Sequence, residues 1–271
     1  MRAFEKAFEM PVKGRSAKPR KVGYTMVIDK GLGLSATKDL MTMAAAYIDA
    51  LKQTFGTSAF VEEQTLRKKI KLVKDAGVEI YPGGTFLEVA VAQGSYATYL
   101  QETKKLGFTT VEVSDGTVEM SPAVREEVIK RAADAGFKVI TEVGKKDPKM
   151  KVGHESMGET VHRDLALGAF KVIVEARESG KGVGIYDASG GVDETELNAI
   201  AALVSDPSVL IWEAPLKNQQ AHLIKKFGVN VNLGNVPPED ILALEALRCG
   251  LRADTLKPAL GDKVKVTKFL G

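Results

Sequence analysis

One unit recurs along this chain and limits its fold more than any other feature: a short β-branched run, a turn carrying glycine or charge, then an amphipathic helix. Strands are predicted over 24–29, 47–52, 78–81, 110–114, 138–143, 171–176, 209–213 and 229–233. Helical patterns fill the intervals at 35–46, 62–76, 85–107, 121–135, 155–167, 194–204, 217–227 and 239–248. Several carry end signals: Ser121-Pro122 as N-cap and first-turn proline, Asp193 as N-cap, and Gly77, Gly107 and Gly136 as stops. Eight such alternations in about 250 residues are the expectation for a (β/α)8 barrel. The competitor is a doubly wound open sheet. No G-x-G-x-x-G follows the first strand, so a dinucleotide-binding sheet is disfavoured.

The 271 residues, 44% hydrophobic, suffice for one large domain over 22–271, preceded by a basic leader, 1–21, holding Arg15, Lys18, Arg20 and Lys21. A net charge of +3 with 27% charged residues is nearly balanced, and no long basic run is present, which argues against nucleic acid as a partner. The one cysteine, Cys249, excludes an intrachain disulfide and a cysteine-rich zinc site. No window reaches 18 uninterrupted apolar residues, and Glu5 and Glu9 stand where a signal peptide would be apolar. The expectation is a cytoplasmic protein that does not cross a membrane. The histidines lack H-E-x-x-H spacing, and no G-x-S-x-G elbow occurs.

Catalytic groups in such a barrel come from the C-terminal ends of the strands. Those positions here are Asp29 and Lys30, Lys52, Tyr81, Glu112 with Ser114 and Asp115, Glu142 with Lys145 and Lys146, Glu175 with Arg177, Glu178 and Lys181, Glu213, and Asn232 with Asn235. Alternation of side chains turns Val111, Val113, Leu210 and Trp212 toward the helices and leaves Glu112, Ser114 and Glu213 inward. It also places Glu142 on the side of Lys146. Inward carboxylates beside lysines suit a hard cation such as Mg2+, and equally a metal-free lattice of ion pairs. Ser179-Gly180-Lys181-Gly182 and Gly234-Asn235 are turns with amides for a phosphate, though neither matches a P-loop.

The stretches YTMVIDKGLG, YIDALK with GTSA, YPGGT, LGFTTVEVSDG, ITEVGKK, EARESGKGVG, WEAP and VNLGN, in this order, closely resemble the phosphosulfolactate synthase family over residues 22–257. Three places depart from its pattern: KQTFGTSA after the second strand, Ala176 where glycine is expected, and Gly234 where alanine is usual. The resemblance implies a (β/α)8 barrel that adds sulfite to phosphoenolpyruvate with Mg2+, giving (R)-2-phospho-3-sulfolactate, as in the coenzyme M route of methanogens. It also implies a homo-oligomer. Lys146, then Lys145, is expected as the acid; Arg177, Lys181, Gly234 and Asn235 at phosphate or sulfite; Lys52 and Lys30 at carboxylate or sulfonate. Asp115, Glu142, Glu175 and Glu213 are the expected metal ligands. Two other readings stand beside this one: a barrel enzyme acting on another phosphorylated enol or keto acid, lysine Schiff-base chemistry included, and a stress-related relative without turnover.

Overall fold

A computed structural model describes residues 4–147 and 153–261. Eight parallel strands lie in the order β3-β2-β1-β8-β7-β6-β5-β4. They are β1 Thr25–Asp29, β2 Ala50–Gln53, β3 Glu79–Pro82, β4 Thr110–Val113, β5 Lys138–Val143, β6 Lys171–Val174, β7 Leu210–Glu213 and β8 Leu233–Val236. The seam between β3 and β4 closes through the Thr109 amide on the Ile80 carbonyl (3.1 Å) and the Ile80 amide on Thr109 Oγ1 (3.0 Å). The result is the expected (β/α)8 barrel.

Around it run α1 Leu34–Ala44, α2 Glu63–Asp75, α3 Gly84–Ala92, α4 Tyr96–Leu106, α5 Pro122–Asp134, α6 His154–Ala166, α7 Glu194–Ala201, α8 Lys217–Phe227, α9 Ile241–Arg248 and α10 Ala253–Leu260. The predicted caps are present, Ser121 Oγ accepting from the Val124 amide and Asp193 from Thr195 and Glu196. The strands are buried on both faces. Val111, Val139, Val172, Leu210 and Trp212 pack outward against the helices, whereas Met26, Ala50, Tyr81, Ile140, Ile173 and Ile211 fill the interior.

Three boundaries are corrected. The helix expected over 85–107 divides into α3 and α4 at Gly94, which turns the chain at φ 67. The second strand begins at Ala50 and not at Tyr47, because Ala45–Tyr47 forms a 3-10 turn and the Asp49 carboxylate takes the Thr25 amide (2.9 Å). The last strand is Leu233–Val236 and not 229–233. The carbonyls of Val229 and Val231 are taken instead by Arg248 Nη1 (2.6 and 2.8 Å). Asn232, expected at the catalytic rim, therefore lies at the opposite end, where its amide group binds the carbonyls of Ser208 and Leu210 and accepts from the Tyr24 amide.

The leader packs across that same N-terminal end of the barrel. Arg15 pairs with Glu245 (3.1 Å), Arg20 with Asp49 (3.2 Å), and Lys18 Nζ binds the carbonyls of Ala45, Ile48 and Gly77. The charged strand ends lie at the other face.

Candidate active site

At the C-terminal mouth the apolar interior gives way to charge. Lys52, from β2, is buried on the barrel axis with its Nζ 2.9 Å from Glu112 and 3.5 Å from both Glu142 and Glu213. Parity explains the convergence: Glu112 and Glu142 are the penultimate residues of β4 and β5 and Glu213 is the last of β7, each at an inward-facing position. Burial alone would discharge Lys52, yet Glu112, Glu142 and Glu213 more than offset it and raise its pKa well above the ordinary lysine value.

Lys146 follows β5 and reaches the same space. Its Nζ donates to Thr85 Oγ1 (2.9 Å) and stands 3.6 Å from Glu88, 3.6 Å from Glu142 and 3.8 Å from Glu175. Burial opposes its charge, but Glu142 and Glu175 prevail, so it too is held protonated. Its path depends on Gly116, where a Cβ would stand 3.1 Å from Lys146 Cε. Glu88, fully buried on α3, braces that loop by accepting from the amides of Thr117 (2.8 Å) and Val118 (2.5 Å) and from Ser114 Oγ (2.9 Å). Ser114 lies 2.7 Å from Glu142 Oε1 as well.

The carboxyls divide by environment. Burial raises Glu142, but Lys146 and Lys52, with the Ser114 hydroxyl beside it, bring it down to about 2. Glu175 goes the other way: burial, then the charges of Glu142 and Glu213, push it well above the carboxylate range. Glu112 and Glu213 are raised, chiefly by burial, with Lys52 opposing.

These groups line a cavity of about 420 Å³ together with Thr54, Phe55, Gly83, Gly84, Thr85, Arg177, Glu178 and Asn235. Among the described residues the non-glycine positions at positive φ are Phe55 (58°), Arg177 (62°) and Asn235 (51°), and all three border this cavity. For Phe55 and Arg177 such a placement costs roughly 1–3 kcal/mol, for Asn235 less, and it persists where surrounding structure enforces it, commonly at a functional site.

Of the residues given a role from the sequence, Lys52, Glu142, Lys146, Glu175, Arg177, Glu213 and Asn235 meet in the cavity, joined there by Glu112 and Glu178 from the strand-end set. Gly234 lies beneath it, beside Met26, Ile211 and Glu213. Four others lie elsewhere. Lys30 and Lys181 are exposed and do not line it. Asp115 faces away, held by Arg125 (3.1 Å), and Lys145 Nζ binds the Asp115 carbonyl (2.7 Å) and carboxylate (3.2 Å). Conversely, Thr85, Glu88 and Phe55 were missed. Glu88 had a signal, being the one charge within the apolar run TFLEVAVA.

The close fit of α3 against β4 gives a direct test. A Cβ on Gly84 would stand 2.6 Å from Ser114 Cβ and 2.8 Å from Glu112 Oε1, while the Gly84 amide donates to that same oxygen (2.7 Å). Gly84→Ala is expected to destabilise the protein by about 1–3 kcal/mol, the usual scale of overpacking, read as a lower denaturation midpoint. An unchanged midpoint would show that α3 can move off β4 without cost.

Fold and site together define a (β/α)8-barrel enzyme with its reaction centre at the C-terminal ends of the strands. Solved barrels share the architecture at low identity: the YdjI aldolase of Escherichia coli K12 (TM-score 0.52, 13% identity, covering 89% of this chain and 90% of that one) and the dihydrodipicolinate synthase of Agrobacterium tumefaciens (TM-score 0.51, 9%, covering 90% and 79%). The family model for (2R)-phospho-3-sulfolactate synthase (ComA) matches residues 13–254, and the chain belongs to that family. It is 44% identical over 252 residues to the phosphosulfolactate synthase of Methanothermobacter thermautotrophicus, covering 92% of this chain and 97% of that one. To the Bacillus subtilis phosphosulfolactate synthase it is 38% identical over 251 residues, with the same coverage. Similarity to the Arabidopsis thaliana protein HEAT-STRESS-ASSOCIATED 32 is lower, at 24%.

Proposed function

We propose that this protein is a phosphosulfolactate synthase, adding sulfite to phosphoenolpyruvate to give (R)-2-phospho-3-sulfolactate. The observation that carries the reading is the pair of charged ammoniums, Lys52 and Lys146, converging on one cavity in a chain of this family. The sulfur lone pair attacks the methylene carbon, and the carbon–carbon π electrons move into the carboxylate as an enediolate. Lys52, fixed and charged, stabilises that developing negative charge without reorganising. Lys146 then gives its proton to C2, forming the C–H bond, and recovers one from solvent. Arg177 and Asn235 are the groups of the cavity wall suited to phosphate.

Mg2+ belongs to the same proposal. Glu142 Oε2 and Glu175 Oε2 are buried and hydrogen-bond to nothing among the described residues; both are hard oxygen donors, and an incoming cation would displace the proton that burial favours on Glu175. Among the described residues no three acidic, histidine or cysteine side chains form a ready cage. An ion there would be held by one or two carboxylates, Glu142 and Glu175, leaving positions for water and substrate. When bound it supplies Lewis-acid stabilisation of the enediolate. Among the described residues no helix is long and apolar enough to cross a membrane. A cytoplasmic homo-oligomer is the setting we propose, and sedimentation measures the assembly.

Schiff-base chemistry is disfavoured, because Lys52 keeps its proton among the carboxylates and is not a free amine nucleophile. Phosphorus NMR of the protein with phosphoenolpyruvate, sulfite and Mg2+ tests the proposal. A new phosphate-ester signal requiring all three is expected; no product from folded protein would overturn it.

A further inference from the structure

Phe55 occupies a backbone conformation that a bulky residue rarely adopts, at φ 58, and it is followed by Gly56 at φ 64. The chain on either side is clamped. The Thr54 amide binds the Asp29 carbonyl (3.1 Å), the Gly83 amide binds the Gln53 carbonyl (2.8 Å), and Thr57 returns both its amide and its hydroxyl to the Thr54 carbonyl (3.1 and 2.9 Å). Glycine or asparagine would take the Phe55 position with little strain. Packing does not account for the ring, since it is 52% exposed and belongs to none of the buried apolar clusters. It does border the reaction cavity, on the β2 side, near Lys52 and Thr85.

We infer that the Phe55 ring is the cover of this cavity, closing over the bound phosphorylated enol acid and shielding its reacting carbons from bulk water. The inference rests on the reaction proposed above and names a residue that reading does not use. The enediolate is flat at C2 and accepts a proton on either face. A cover over the mouth excludes water as a competing donor, which leaves Lys146 as the proton source and makes the product single-handed; an open mouth admits water as a second donor. The ring also adds apolar surface against the substrate, so it contributes to binding.

Phe55→Gly tests this, because removal of the ring and relief of the backbone act in opposite directions. Phosphoenolpyruvate affinity, read by calorimetry without turnover, is expected to weaken roughly tenfold, the scale of about half a phenyl ring's burial. The product, analysed by chiral chromatography after removal of phosphate, is expected to contain both enantiomers. Phe55→Leu is expected to restore part of both properties. Unchanged affinity in Phe55→Gly, or a product of unchanged optical purity, would overturn the inference. If the wild-type protein binds phosphoenolpyruvate but forms no product with sulfite, the proposed reaction fails, and the affinity arm still decides whether Phe55 covers the site. Thermal denaturation of Phe55→Gly guards against misfolding, with a midpoint at or above the wild-type value expected from the relieved strain.

Discussion

Lys146→Ala is expected to lower turnover by about a hundredfold or more, the usual scale for losing an acid catalyst, while phosphoenolpyruvate still binds. The ammonium is poised rather than merely present. Thr85 Oγ1 holds it at 2.9 Å, and Glu88, Glu142 and Glu175 surround it at 3.6 to 3.8 Å. Glu142 above all keeps it protonated, so it enters the cycle ready to donate. Lys146→Arg separates charge from proton donation: the guanidinium keeps the positive field but releases its proton far less readily. If Lys146 acts by field alone, arginine restores turnover; if it is the acid, arginine leaves it low. Single-turnover kinetics distinguishes the two, and wild-type turnover in Lys146→Ala would remove this residue from the mechanism.

Lys52→Met carries the largest expected effect on stability. The ammonium is the common partner of Glu112, Glu142 and Glu213, and the residue is only 6% exposed. Removing one member of a buried ionic cluster leaves uncompensated charge, at a cost of about 3–5 kcal/mol, or on the order of 10 °C in denaturation midpoint. The effect has a definite pH dependence. Glu112 and Glu213 already have pKa values raised above the ordinary 4.5, with Lys52 restraining the rise. Without Lys52 they rise further. An acid whose folded pKa lies above its unfolded value destabilises the fold at pH above both, and the penalty vanishes as pH falls through the unfolded value. The deficit of Lys52→Met against wild type is therefore expected to be largest at neutral pH and to shrink toward pH 4.5. Adding Glu112→Gln should recover part of it at neutral pH. A deficit independent of pH would mean that packing, and not charge, is what Lys52 supplies.

Much of the site was legible in period alone. On β4, β5, β6 and β7 the alternation of Val111, Val113, Val172, Val174, Leu210 and Trp212 with Glu112, Glu142, Glu175 and Glu213 assigns the inward face correctly, because a strand buried on both sides obeys strict parity. Parity fails at the last strand. There 229–233 reads as a β-run, but Arg248, distant in sequence, takes the carbonyls of Val229 and Val231, and pairing begins only at Leu233. Parity also says nothing beyond the strand ends. Lys145 and Lys146 are neighbours of the same type, and Gly144 at φ 110, with the Lys146 amide on the Gly116 carbonyl (3.2 Å), sends one to Asp115 and the other into the cavity.

The sequence by itself determined the barrel, the end of it where charge collects, the family, and the inward set Glu112, Glu142 and Glu213, because these follow from local periodicity and from short motifs. Only the tertiary structure decided that Lys52 stands at the centre of those carboxylates, that Glu88 and Thr85 from α3 brace Lys146, that Asp115 and Lys145 turn away, and that Phe55 is held at the mouth. Each of those outcomes depends on loops and helices brought together across the barrel. Their energies come from burial and pairing among residues far apart in the chain, which no local pattern encodes.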